Sequence, residues 1–260
     1  MSSLLSYDTF GEPQDVALLL VHPMGTDRRF WEECVDIWKQ RYFCVAPDLR
    51  AAGSSPRPDV PVTIPGHAED LEALRSDIGI DAVVPIGCAL GGMVAACYAA
   101  RHASSTRALV MANPGMRGTD AANDMLRERV RIARASGVAA LLPAAVDRAF
   151  HKQPHDERYR RHVERFAAQD SESFARSVEG FIGADITAEL PQIRCPTLVV
   201  SGEDDVLMPA DGGERIKMAV PHAEIASMKA AAHFMPFQAP DRFAPMVADF
   251  LERSKVTGTL

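Results

Sequence analysis

The chain has 260 residues, 47% of them hydrophobic and 24% charged, with a net charge of −7. That balance argues against nucleic acid as a partner, because phosphate binding needs clustered positive charge, and no uninterrupted apolar stretch is long enough to span a bilayer. A chain of this length buries roughly 70–75% of its unfolded surface, so its core needs neither a disulfide nor a structural metal.

Met1–Phe10 has neither a basic n-region nor an apolar h-region, so no secretory signal is expected there. The first strand-like run is Val16–His22, followed by helical apolar spacing over Phe30–Gln40. The same alternation continues with a strand at Tyr42–Asp48, a helix at His67–Ile78, a strand at Ala82–Cys88, a helix at Gly91–Arg101 and a strand at Ala108–Asn113. It resumes with strands at Thr197–Ser201 and Ala223–Met228 and helices at Asp211–Val220 and Asp241–Glu252. Strands alternating with helices predict a mostly parallel, doubly wound α/β sheet with right-handed crossovers. The nearly all-apolar strand runs fit a sheet covered on both faces.

Between Met116 and Asp185 there is no strand-like run. Helices are expected at Asp120–Ala135, Val138–Phe150, Glu157–Ala168 and Ser171–Ile182, rich in the helix formers Ala, Arg and Glu. The expected organisation is a core from Met1–Gly115 plus Ile186–Leu260, with Met116–Asp185 as a helical lid over the carboxyl edge of the sheet, where ligands bind in open α/β sheets. Arginines in Arg127–Arg134 and Arg158–Arg165 are interspersed with Glu128, Glu157 and Glu164, the pattern of a solvated helix face. The five cysteines, Cys34, Cys44, Cys88, Cys97 and Cys195, are odd in number and form no CxxC pair. They read as reduced, mostly buried thiols, which with the missing signal predicts a cytoplasmic protein.

The most informative segment is Ala82–Ala100, where an apolar strand meets Gly87-Cys88-Ala89-Leu90-Gly91-Gly92 and then a small-residue helix. This is the setting of a nucleophile elbow, G-x-S-x-G, whose turn is so tight that the positions two before and two after the apex must be small. Cys88 at the apex would put bulky Ile86 and Leu90 at those positions. Ala89 at the apex puts Gly87 and Gly91 there, so residue 89 is the apex and Cys88 a small buried neighbour.

With this elbow the chain resembles the α/β-hydrolase superfamily over essentially its whole length. His22-Pro23-Met24-Gly25 resembles the H-G-x-G oxyanion loop, with Pro23 in place of a glycine. Pro47–Ser55 resembles the D-x-R-G-x-G-x-S turn, with Ala51 in place of a glycine. Gly202–Pro209 resembles G-x-x-D-x-x-x-P, and Ala231-Ala232-His233-Phe234 resembles the late G-H segment. The resemblance implies Asp205 as triad acid, His233 as base, residue 89 as the nucleophile position, and backbone N–H groups of Met24 and Leu90 as oxyanion donors. Within the superfamily the chain is most similar to 3-oxoadipate enol-lactonases and related lid-bearing hydrolases, through Gly25-Thr26-Asp27 with Trp31, Ala99–His102, Ala108–Asn113 and Leu190–Thr197. The aminoacrylate hydrolases of pyrimidine breakdown are also similar at Ala89-Leu90-Gly91, some members carrying alanine there. These segments are shared by many relatives and do not fix the substrate.

Alanine at 89 bears directly on the chemistry. In a working triad a serine hydroxyl attacks the carbonyl, the histidine takes its proton and the aspartate holds the imidazole tautomer. Loss of the nucleophile costs on the order of 10⁶ in kcat. Three readings stand open: a Ser→Ala replacement engineered into a hydrolase of small esters, lactones or amides; a natural alanine with His233 and Asp205 as a base dyad for water activation, C–C cleavage or cofactor-free oxygenation; and a ligand-binding receptor on the same fold.

Around that centre, Arg28 or Arg29 could hold a substrate carboxylate through a guanidinium fork, against the plainer reading of exposed helix charge. Trp31, Phe150, Phe234 and Phe237 could wall an apolar pocket, or simply pack the core. His22 lines the oxyanion loop or is structural. Asp48 and Arg50 are expected to brace their turn, and Asp204 to be a solvated turn carboxylate. His67, His102, His151, His155, His162 and His222 lack metal-ligand spacing and read as surface or loop histidines. No metal or organic cofactor is implied, the partner is a small-molecule substrate, and a homo-oligomer is left open.

Overall fold

The computed structural model describes residues 5–208 and 211–256. The strands are β1 (Tyr7–Phe10), β2 (Val16–Val21), β3 (Phe43–Pro47), β4 (Ala82–Cys88), β5 (Leu109–Ala112), β6 (Thr197–Gly202) and β7 (Glu224–Met228). They form one sheet in the order β1-β3-β2-β4-β5-β6-β7. All neighbours are parallel except β1, which pairs antiparallel with β3. The predicted mostly parallel doubly wound sheet is therefore present, with one edge strand added. Tyr7–Phe10 escapes a hydrophobic-pattern reading because its two middle positions, Asp8 and Thr9, are exposed polar residues, as on many edge strands.

The helices are α1 (Glu32–Trp38), α2 (Ile64–Asp77), α3 (Leu90–Arg101), α4 (Asp120–Ser136), α5 (Ala144–Ala149), α6 (Glu157–Ala167), α7 (Ser171–Glu179), α8 (Gly212–Ala219), α9 (Met235–Gln238) and α10 (Pro240–Arg253). Strands β3, β4 and β5 are buried at every position, because helices cover both faces of the sheet. On the core, α2 packs with α3, and α1 with α9 and α10. None of the described helices is long and apolar enough to cross a membrane.

Helices α4 to α7 lie between β5 and β6, and an antiparallel bridge from Arg117 to Asp185 closes the base of this insertion. Thr119, Asp156 and Asp170 cap the starts of α4, α6 and α7, each accepting from a backbone N–H of the first turn. The predicted helix Val138–Phe150 is instead a 3₁₀ turn (Val138–Leu141) and α5, because Pro143 interrupts the backbone ladder between them. The arginines of α6 are not simply a solvated face. Arg158 and Arg161 both bond Glu33, and Arg165 bonds Glu32, at 2.6–3.0 Å. They tie the insertion to the acidic first turn of α1.

Two histidines expected at the surface are buried. His67 stacks on Phe181 with ring centroids 5.7 Å apart, and His162 sits among Phe150, Phe234 and Phe237. Apolar neighbours, invisible to ligand-spacing rules, claim both rings. Burial pushes His67 down to about 3 and His162 down to about 4 from the ordinary 6.5. The unfolded chain therefore takes up protons on both below pH 6.5 while the folded chain does not. Their contribution is complete above that pH and falls as the pH drops, by up to about 1.4 kcal/mol per pH unit for each ring. Urea midpoints are expected to fall between pH 7 and pH 5, and to fall less in His162→Gln. An equal drop in both proteins would mean that His162 is protonated in the fold.

Candidate active site

Ala89 follows β4 directly and opens α3, with φ 52° and ψ −120°. Residues with a Cβ occupy this region only when surrounding structure forces them, at about 1–3 kcal/mol. The forcing is visible. The Ala89 N–H donates to the Ala112 carbonyl at 2.8 Å, and its carbonyl accepts from Gly92 at 3.0 Å. A Cβ on Gly87 would collide with the Gly91 carbonyl, and one on Gly91 with the carbonyls of Val21 and His22. That is the steric demand expected of an elbow with residue 89 at its apex. Gly91→Ala is expected to cost about 3 kcal/mol or more in urea unfolding, since fixed backbone rather than a movable side chain must give way. Gly92→Ala, whose Cβ would meet nothing closer than 3.4 Å, should cost far less and serves as the control.

Cys88 faces away from the apex. Its thiol is fully buried and donates to the His233 carbonyl at 3.5 Å. Burial, with the charge of Asp205 added, pushes the thiol far up, so no thiolate is available there.

The carboxyl ends of β6 and β7 deliver two further groups. Beyond β6, Asp205 Oδ1 accepts from the N–H groups of Leu207 at 2.7 Å and Met208 at 3.2 Å. Its Oδ2 lies 2.8 Å from Nδ1 of His233, which lies beyond β7, and both side chains are over 90% buried. A carboxylate facing Nδ1 holds the proton on that nitrogen, leaving Nε2 unprotonated and able to accept one. Pro209, the last residue of the acid motif, lies outside the described residues. Ala89, His233, Phe234, Met24 and Leu90 line one cavity of about 310 Å³. Among the described residues, neither the Met24 nor the Leu90 N–H has a protein acceptor.

Other expected residues are elsewhere. The Arg28 guanidinium is consumed by Asp8 at 2.6 Å, Asp48 at 3.0 Å and Ser6 at 2.7 Å, and does not reach the cavity. Arg29 pairs with Asp27 at 2.5 Å and lines a second cavity of about 410 Å³ that contains neither Ala89 nor His233. Trp31 packs in the core against Phe30, Trp38 and Phe243. Phe150 stands behind Phe234 rather than on the cavity surface, and Phe237 faces the second cavity. His22 is structural: Nδ1–H donates to Pro23 at 2.9 Å and Nε2 accepts from the Leu49 N–H at 2.9 Å. Asp48 braces its turn through Arg28 and the Ser54 N–H, and Arg50 pairs with Asp70. Asp204 is not merely solvated, because Lys152 of the helical insertion reaches it at 3.0 Å.

Two contributors were not singled out from sequence. Asn113, in a left-handed conformation after β5, donates to the carbonyls of Ala232 (2.8 Å) and His233 (3.0 Å) and accepts from Gly202 N–H (2.7 Å). It thus links the strand end beside the elbow to the loops carrying Asp205 and His233; the signal available was an Asn-Pro-Gly turn ending a strand. His162 lines both cavities and carried no sequence signal, since its role comes from helix packing. Among the described residues no group of three or more His, Cys, Asp or Glu could hold a metal.

Comparison with known proteins identifies the family and the fold. Over 95% of this chain and 96% of the other, the fold superposes on the enol-lactonase of Burkholderia xenovorans LB400 with a TM-score of 0.87 at 27% identity. By sequence the chain is 23% identical to 3-oxoadipate enol-lactonase 2 of Acinetobacter baylyi, over 96% of this chain and 93% of that one. It is 26% identical to a protein of Stutzerimonas stutzeri provisionally named the carbamate hydrolase RutD, over 95% and 96%. The family model described as "alpha/beta hydrolase fold" matches residues 16–240, and the chain belongs to that family.

Proposed function

We propose that this chain is built to hydrolyse a small ester, lactone or amide through a Ser–His–Asp arrangement, and that Ala89 removes the nucleophile. The observation that carries the reading is the Asp205–His233 pair at 2.8 Å, whose histidine lines one cavity with a strained elbow residue and two N–H groups that have no acceptor among the described residues. With serine at 89, its hydroxyl attacks the substrate carbonyl while His233 Nε2 takes the proton. The Met24 and Leu90 N–H groups receive the negative charge forming on the carbonyl oxygen. His233 then protonates the leaving group, and water completes the cycle by the same route.

In this reading 116–185 is a lid that shapes the pocket, joined to the core residues 1–115 and 186–260. The enzyme works in the cytoplasm without metal or organic cofactor. The test is turnover of p-nitrophenyl esters and small enol-lactones by the chain as it stands and by Ala89→Ser. One observation supports a second reading: the His–Asp pair is complete without any serine. Substantial turnover by the unsubstituted chain would favour that dyad, activating water or deprotonating substrate. Tight binding without turnover in either protein would favour a receptor.

A further inference from the structure

One buried polar side chain beneath the cavity is shared by separate segments of the chain. Asn113 follows β5 with φ 45° and is buried. Its Nδ2 donates to the Ala232 carbonyl at 2.8 Å and to the His233 carbonyl at 3.0 Å. Its Oδ1 accepts from the Gly202 N–H at 2.7 Å, and the Gly202 carbonyl in turn accepts from the Asp205 N–H at 3.2 Å. The residue before it, Ala112, accepts from the Ala89 N–H at 2.8 Å. The end of β5 is therefore bonded to the elbow, to the Asp205 loop and to the His233 loop.

The His233 carbonyl has a second donor. Cys88, immediately before the elbow apex, donates its buried thiol to the same oxygen at 3.5 Å. This thiol takes no part in the chemistry proposed at residue 89, yet it links the apex directly to the His233 backbone. The residue type at 113 is also demanding. Two donors and an acceptor on one short side chain describe a primary amide, whereas an ionised aspartate of the same shape offers acceptors only. Asparagine also tolerates a positive φ better than most residues with a Cβ. An apolar side chain could fill the same space, but it could not fix the two loops relative to each other.

From this we infer that Asn113 and Cys88 are positioning residues: together they hold the His233 backbone in register with the elbow, and Asn113 also holds it in register with the Asp205 loop. The residue is then gripped at both ends, by Asp205 at Nδ1 at 2.8 Å and by the two donors at its own carbonyl. Such a grip matters because a misplacement of about 1 Å at a reacting group costs up to about 10²-fold in rate. The inference rests on the hydrolase reading for what misplacement does to turnover, but not for where the ring sits.

Ring placement is read in the chain as it stands, through the proton NMR signal of the His233 Nδ1–H, identified by its loss in His233→Gln. Asn113→Gly, which keeps the positive φ without the amide, and Asn113→Asp are both expected to shift or broaden that signal. Turnover is read in the Ala89→Ser background on p-nitrophenyl acetate. There Asn113→Gly should lower kcat by about 10²-fold with KM unchanged. Cys88→Ala should lower kcat by about 3- to 10-fold, the range of one neutral hydrogen bond, and Cys88→Ser, which keeps a donor, should recover most of that loss. Leu74→Ala, a buried core change on α2, measures the effect of lost stability alone and should leave both kcat and the signal unaltered. An Nδ1–H signal that does not move in Asn113→Gly, a kcat loss no larger than that of Leu74→Ala, or an effect confined to KM overturns the inference. Should Asn113→Gly not fold, Asn113→Asp and the two Cys88 variants carry the same comparison. A signal that shifts as expected while Ala89→Ser shows no turnover defeats the hydrolase reading alone.

Discussion

Ala89→Ser is expected to raise kcat on a matched ester by several orders of magnitude, up to about 10⁶, the loss seen when a serine hydrolase loses its nucleophile. The backbone needed for that gain is already in place. Residue 89 holds φ 52° with alanine, so serine inherits the elbow without any new strain. A hydroxyl on the Ala89 Cβ adds one atom on the cavity side, where His233 also stands. The N–H groups that would receive the oxyanion are set by β2's exit and the first turn of α3, neither of which depends on the side chain at 89. His233→Ala in the serine background should return activity to the level of the starting chain. Should the serine protein gain nothing while the starting chain already turns over substrate, the acyl-enzyme reading fails and His233 with Asp205 acts on water or substrate directly.

How much of this was readable beforehand follows the range of the interactions. Strands β2 to β7 and the elbow were legible because apolar runs, turn glycines and the spacing from Gly87 to Gly91 are local. The exclusion of Cys88 from the apex was legible for the same reason, since the two registers differ in which local positions must be glycine. What failed was long-range. Arg28 looked like a pocket residue from its place after the oxyanion loop, but Asp8 and Asp48 approach it from β1 and the end of β3 and take its guanidinium. Trp31 lies in the right segment but turns into the core toward Trp38 and Phe243. His162 and Arg129 sit on helices whose sequences read as charged surface. Only the packing of α4 and α6 over the sheet's carboxyl edge turns those two side chains toward the cavity.

Asp205→Asn in the Ala89→Ser background is expected to lower kcat by about 10⁴ with little change in stability. The reason lies in the turn that holds the carboxylate. Oδ1 accepts from the Leu207 and Met208 N–H groups, so the amide of asparagine must place its oxygen there and its NH₂ toward His233. An NH₂ facing Nδ1 makes that nitrogen an acceptor and moves the imidazole proton to Nε2, the atom that must act as base. The geometry survives while the tautomer is wrong. Asp205→Ala differs in kind, since it also strips the turn of its acceptor, so it should lose stability as well as activity. Comparing the two by urea unfolding and by kcat separates orientation of the base from support of the loop. If Asp205→Asn keeps kcat within about tenfold, Asp205 does not set the tautomer and the Asn113 contacts to the His233 backbone must orient the ring instead.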